Sequence, residues 1–137
     1  MPTKHRTILY VDDDTDDQYL VLETLSLLAP TANVILAGNG VETLTYLNDL
    51  EDQALPCLII MDINMPLLNG KETVMRIRQQ SRFDTIPIVL FTTSSSLPDR
   101  QFCEHYQIPF ATKPSTGKDM QEVIENMLLL AATFCAG

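Results

Sequence analysis

The chain has 137 residues, 45% of them hydrophobic, and a formal charge of −9 from 9 Lys and Arg against 18 Asp and Glu. That length suits one domain able to bury a full core, residues 1–137. The acidic balance excludes nucleic acid as a partner, because phosphate backbones are neutralised by Lys and Arg that are scarce here. No run approaches the roughly 18 apolar residues of a membrane span, and no apolar leader precedes the first strand, so a cytoplasmic location is expected. Cys57, Cys103 and Cys135 are odd in number and far apart, which reads as buried thiols of a reducing compartment. With only His5 and His105 available, no histidine-based metal or catalytic cluster is expected.

Apolar periods alternate along the chain. Ile8 to Val11 is a strand, and Asp14 to Leu28 is a helix with Val21, Leu25 and Leu28 on one face, stopped by Pro30. Val34 to Ala37 is a second strand, and Gly38-Asn39-Gly40 turns into a helix carrying Val41, Leu44 and Leu47. Residues 48–54 form a polar loop before a third strand at Leu58 to Met61. Pro66 and Gly70 mark a turn, and Lys71 to Gln80 is a helix with Val74 and Ile77 inward. A fourth strand runs from Ile86 to Thr92, and Pro98 sits at a helix start. A fifth strand ends at Lys113. The last helix carries Met120, Val123, Ile124, Met127, Leu128 and Ala131 at i, i+3, i+4 spacing. Five strands alternating with five helices predict a doubly wound α/β fold with a parallel sheet, since parallel strands need helical crossovers.

Four strands end on polar residues of a kind that handle phosphate or metal: Asp12-Asp13, Asp62, Thr92 and Lys113. Parallel sheets place their ligands beyond the carboxyl ends of their strands, so these residues would converge on one pocket. Carboxylates of Asp12, Asp13 and Asp62 packed together repel without a cation. Hard oxygen donors in that number suit Mg²⁺. A shielded carboxylate at Asp62 can attack phosphorus and form an acyl phosphate. Lys113 supplies a point positive charge and Thr92 a hydroxyl donor. Asp14, Asp16 and Asp17 read instead as helix N-terminal residues that cap the helix and oppose its dipole.

Asp12-Asp13, Met61-Asp62-Ile63-Asn64-Met65-Pro66 with Gly70, then Thr92, then Lys113-Pro114 resemble the receiver domain of two-component response regulators, over essentially the whole chain. The likeness is greatest to stand-alone regulators in which this region reads Phe91-Thr92-Thr93-Ser94. The resemblance implies a flavodoxin-like (CheY-like) sheet of order 2-1-3-4-5 with five helices. It makes Asp62 the phosphoryl acceptor and gives Mg²⁺ to Asp13, Asp62 and the backbone carbonyl of Asn64, with Asp12 supporting through water. Lys113 would pair with Asp62 and then with the phosphoryl group, and the Lys113–Pro114 bond would be cis. The partners implied are a sensor histidine kinase or histidine phosphotransfer protein and a downstream protein, with a weak homodimer through the fourth and fifth helices and fifth strand. Leu129 and Leu130 lie off the core stripe of the last helix and would belong to that self-interface. Two positions depart from the pattern. Thr93 replaces a usually small residue, and the switch position, often Tyr, is Phe110, which can swing inward but has no hydroxyl.

Two other classes fit less well. A phosphatase of the haloacid dehalogenase type, with an aspartyl nucleophile, wants a second aspartate two residues later as acid–base; here that residue is Asn64. A flavin or nucleotide binder needs a Ser/Thr/Gly-rich loop after the first strand, where this chain has aspartates. The expected function is therefore signalling by phosphoryl acceptance, not enzymatic turnover of a substrate.

Overall fold

The computed structural model describes residues 6–93 and 96–132. Strands β1 (Thr7–Val11), β2 (Asn33–Ala37), β3 (Leu58–Met61), β4 (Ile88–Thr92) and β5 (Phe110–Thr112) form one sheet in the order β2-β1-β3-β4-β5. Every pairing is parallel, with Tyr10 opposite both Leu36 and Ile60, and Leu90 opposite Phe110. Helices α1 (Thr15–Leu28), α2 (Gly40–Asp49), α3 (Gly70–Arg78), α4 (Leu97–Tyr106) and α5 (Gly117–Leu130) make the crossovers. Residues 52–54 and 81–83 add single 3₁₀ turns.

Alternation along the strands divides the core in two. Leu9, Val11, Ile59, Met61, Ile88 and Leu90 face Leu47, Val74, Ile77 and Cys103 of α2 to α4. Ile8, Tyr10, Ile60, Val89 and Phe91 face Val21 and Leu25 of α1 and Met120, Ile124 and Met127 of α5. Because both faces are covered, the central strands are apolar throughout rather than alternating. Each helix starts on a capping side chain: Asp14, Asn39, Asn69, Ser96 and Thr116 all accept from backbone N–H groups of the first turn. Those caps satisfy donors that a helix cannot satisfy itself.

Several expectations need correction. Val41 points outward at 48% exposure, while α2 buries Leu47 as expected together with Gly40 and Thr43. A Cβ on Gly40 would lie 1.9 Å from Thr73 Oγ1, so α2 approaches α3 through a glycine and a threonine. The fourth strand begins at Ile88, not Ile86. Residues 48–54 are not one loop: α2 continues to Asp49, and Arg82 fastens the turn beyond it through Asp52 Oδ1 at 3.0 Å and the Leu50 carbonyl. Cys57 is half-buried and in a disulfide rather than a thiol; Cys103 is a free buried thiol, and Cys135 lies outside the described residues. No described helix is long and apolar enough to cross a membrane.

Candidate functional site

The strand termini bring the chemistry together. Asp12 follows β1 and Asp62 follows β3, and their backbone N–H groups extend the sheet by donating to Ala37 O (3.0 Å) and Val11 O (2.9 Å). Lys113 follows β5 and its N–H donates to Thr92 O at 2.9 Å. The sheet itself therefore fixes the depth of each side chain. Gly70 fixes the loop after Asp62: a Cβ there would lie 2.2 Å from Asp62 O, so only glycine lets α3 start so close beneath it.

Lys113 Nζ is the hub. It donates to Asp12 Oδ2 at 2.6 Å, Asp17 Oδ2 at 2.8 Å and Asp62 Oδ2 at 3.2 Å. Burial alone would lower its pKa, but the bonds to Asp12 and Asp17 and the charge of Asp62 hold it above the usual lysine range. Burial pushes the Asp62 carboxyl above the ordinary range, with Asp12 adding to the rise, while Lys113 and a hydrogen bond from Thr92 oppose it. The other Asp62 oxygen accepts from Ile63 N at 2.8 Å.

Asp12 is fully buried, and besides its backbone bond to Ala37 it takes part in four further hydrogen bonds. Tyr10 Oη donates to Oδ2 at 2.6 Å, Asp14 N to Oδ1 at 3.0 Å, and Gln18 Nε2 to the Asp12 carbonyl at 2.6 Å, beside the Lys113 bond. Carboxylate oxygens of Asp12, Asp13 and Asp62 lie within 4.8 Å of one another, with Asp13 exposed at the surface. That all-oxygen, partly buried set fits a hard divalent cation and would be repulsive without positive charge. Asn64 is exposed two residues beyond Asp62. An open polar cleft of about 550 Å³ leads in, lined by Asp13, Asp14, Asp16, Asp17, Asp62, Thr93 and Lys113. A smaller, more apolar cavity near Cys57 and Leu128 opens among the strands' amino ends, where parallel sheets do not bind ligands.

Asp12, Asp13, Asp62, Thr92 and Lys113 are therefore neighbours. Phe110 is half-buried and packs against the core cluster that includes Cys103 and Ile108. The cis bond expected at Lys113–Pro114 does not occur: no described peptide bond is cis, and the trans chain still delivers the ammonium because β5 aims it inward. Asp14 caps α1 as expected, but Asp17 does not act as a dipole residue alone, since Lys113 takes its carboxylate. Tyr10 was legible as core and not as a donor. The available signal was parity: Tyr10 and Asp12 are two apart on one strand and so share a face.

Comparison with known proteins agrees with this geometry. The model of the response regulator receiver domain matches residues 8–125. The response regulator Rcp1 of Synechocystis is 27% identical over 128 residues, covering 89% of this chain and 86% of Rcp1. The chemotaxis protein CheY homolog of Campylobacter jejuni is 29% identical over 122 residues, covering 88% and 91%. A solved Mn²⁺-bound form of Rcp1 superposes with a TM-score of 0.79 at 26% identity, covering 90% of this chain and 91% of that one.

Proposed function

The chain belongs to the response regulator receiver domain family, and from that premise we propose that Asp62 is its phosphoryl acceptor. Residues 1–137 then act as one receiver domain of a two-component phosphorelay. The observation that carries the reading is the Asp62 carboxylate, 8% exposed, at the floor of a cleft and facing the Lys113 ammonium at 3.2 Å. An Asp62 oxygen attacks phosphorus of a phosphohistidine on a sensor kinase or phosphotransfer protein. The new O–P bond forms as the N–P bond breaks, and its electron pair returns to the imidazole, which leaves as neutral imidazole after taking a solvent proton. Catalysis of such a transfer is mostly alignment and charge neutralisation.

Asp12, Asp13 and Asp62, with the Asn64 carbonyl, would hold Mg²⁺, which would neutralise charge on the transferring phosphoryl group. That Rcp1 has a Mn²⁺-bound form supports a divalent cation at the Asp12, Asp13 and Asp62 cluster here. Lys113 turns toward a phosphoryl oxygen, and Thr92 gives its hydroxyl to another. Withdrawal of Thr92 frees space that Phe110 can fill, carrying the change to the surface of α4 and β5, where a downstream protein would read it. Thr93 at the cleft mouth narrows the approach of water and of small donors.

The test is labelling by a phosphohistidine donor or acetyl phosphate with Mg²⁺. Wild type should take up one hydroxylamine-sensitive phosphoryl group, and Asp62→Asn none. Label retained by Asp62→Asn would overturn the assignment.

A further inference from the structure

We propose that Asp17 is a positioning residue that holds Lys113 in its resting place and so sets how tightly the pocket closes on a phosphoryl group. The inference rests on Asp62 being the acceptor. An ammonium has three N–H donors, and Lys113 spends all three on Asp12, Asp17 and Asp62. The two shortest of these bonds go to residues that do not accept phosphate.

Those two carboxylates differ in freedom. Asp12 is fully buried and clamped by Tyr10 Oη on the same oxygen that meets Lys113, and by Asp14 N on the other. Asp17 lies in the first turn of α1 with its side chain 31% exposed. Among the described residues, Lys113 is the single hydrogen-bond partner of its carboxylate. A phosphoryl oxygen on Asp62 has to win an N–H from an acceptor already engaged. Asp17 is the one to be given up, because water can solvate it as the lysine turns, whereas Asp12 has no water to fall back on.

Each bond made only in the resting state reduces the gain from closing on the phosphoryl group. Asp17 also adds negative charge close to where an anion must sit. Both effects have the same sign, so neutralising Asp17 should tighten binding of a phosphoryl mimic. Asp16 provides the control. It is exposed, lies in the same turn and lines the same cleft, and no hydrogen bond or ion pair joins it to Lys113.

The experiment titrates beryllofluoride with Mg²⁺ into wild type, Asp17→Asn, Asp17→Ala and Asp16→Asn, followed by fluorine NMR and by the Lys113 ¹⁵Nζ resonance. Both Asp17 variants should bind on the order of threefold to fivefold tighter, the range of a half-exposed ion pair. Asp16→Asn should change by less than about twofold. In the free protein the Lys113 resonance should move in the Asp17 variants and stay in place in Asp16→Asn. Equal shifts in affinity from Asp16 and Asp17 would reduce the effect to general charge and overturn the proposal, as would unchanged or weaker binding in both Asp17 variants. Failure of wild type to bind beryllofluoride would instead sink the acceptor reading, and this inference with it.

Discussion

Three acidic side chains converge on one ammonium, and the cost of that arrangement falls on Asp62. Its carboxyl is held above the ordinary range, first by burial and then by Asp12. The folded state thus binds this proton more tightly than the unfolded chain does. The resulting stability is present below the unfolded pKa and lost as pH rises through the folded one. At neutral pH an ionised Asp62 therefore destabilises the metal-free fold. Asp62→Asn keeps the shape and the Thr92 bond while removing the charge, and Lys113 retains Asp12 and Asp17. In metal-free buffer at pH 7 the variant should melt about 3–5 °C above wild type, the shift that roughly 1 kcal/mol gives in a chain of this size. The gap should close as the buffer is brought down to about pH 4. A variant that melts at or below wild type at pH 7 would show that burial of the charge is compensated elsewhere.

At the scale of elements, most of the architecture was readable because burial on both faces leaves a strong signal: continuous apolar runs for β1, β3 and β4 between helical stripes. The stripe of α5 came out as expected, with Met120, Ile124, Met127 and Ala131 buried. Features set by contacts between elements were not readable. Leu67 takes a positive φ of 68°, at the centre of a tight turn in which Leu68 N donates to Pro66 O at 2.7 Å. Such backbone costs about 1–3 kcal/mol for a non-glycine residue, and no local sequence pattern asks for it. Lys71 of α3 meets Asp99 of α4 at 2.6 Å, and Asp99 is nearly buried. Nothing in either helix alone predicts that pair, which ties the start of α4 to α3 beside the loop that follows Thr92. Lys71→Met should destabilise the fold by about 1–3 kcal/mol, because it strips a buried carboxylate of its cation. Urea unfolding measures it, and a midpoint unchanged from wild type would mean that the other contacts of Asp99 suffice.

The whole molecule couples these parts if a phosphoryl group at one end of the sheet alters the α4–β5–α5 face. The pocket residues were legible as a set because strand ends in a parallel sheet must meet; which carboxylate Lys113 prefers was not, since it depends on distances of a few tenths of an ångström among Asp12, Asp17 and Asp62. The outer face of α5 carries Leu129 at 68% and Leu130 at 60% exposure. Single exposed leucines are ordinary, so their adjacency matters more than their number. Two together on a terminal turn offer an apolar contact that a second copy of the chain can cover by two-fold symmetry. With Phe110 half-buried in the resting protein, closing of the pocket would shift the population toward the state that presents this face. Sedimentation at high micromolar concentration should show wild type associating more strongly with Mg²⁺ and beryllofluoride than without. Leu129→Glu should remain monomeric in both conditions. Thr92→Ala should bind the mimic yet gain no association, since it lacks the hydroxyl that, in the proposed relay, draws the change toward Phe110. Monomeric wild type in both conditions would dismiss Leu129 and Leu130 as a self-interface, and mimic-driven association in Thr92→Ala would place the relay elsewhere.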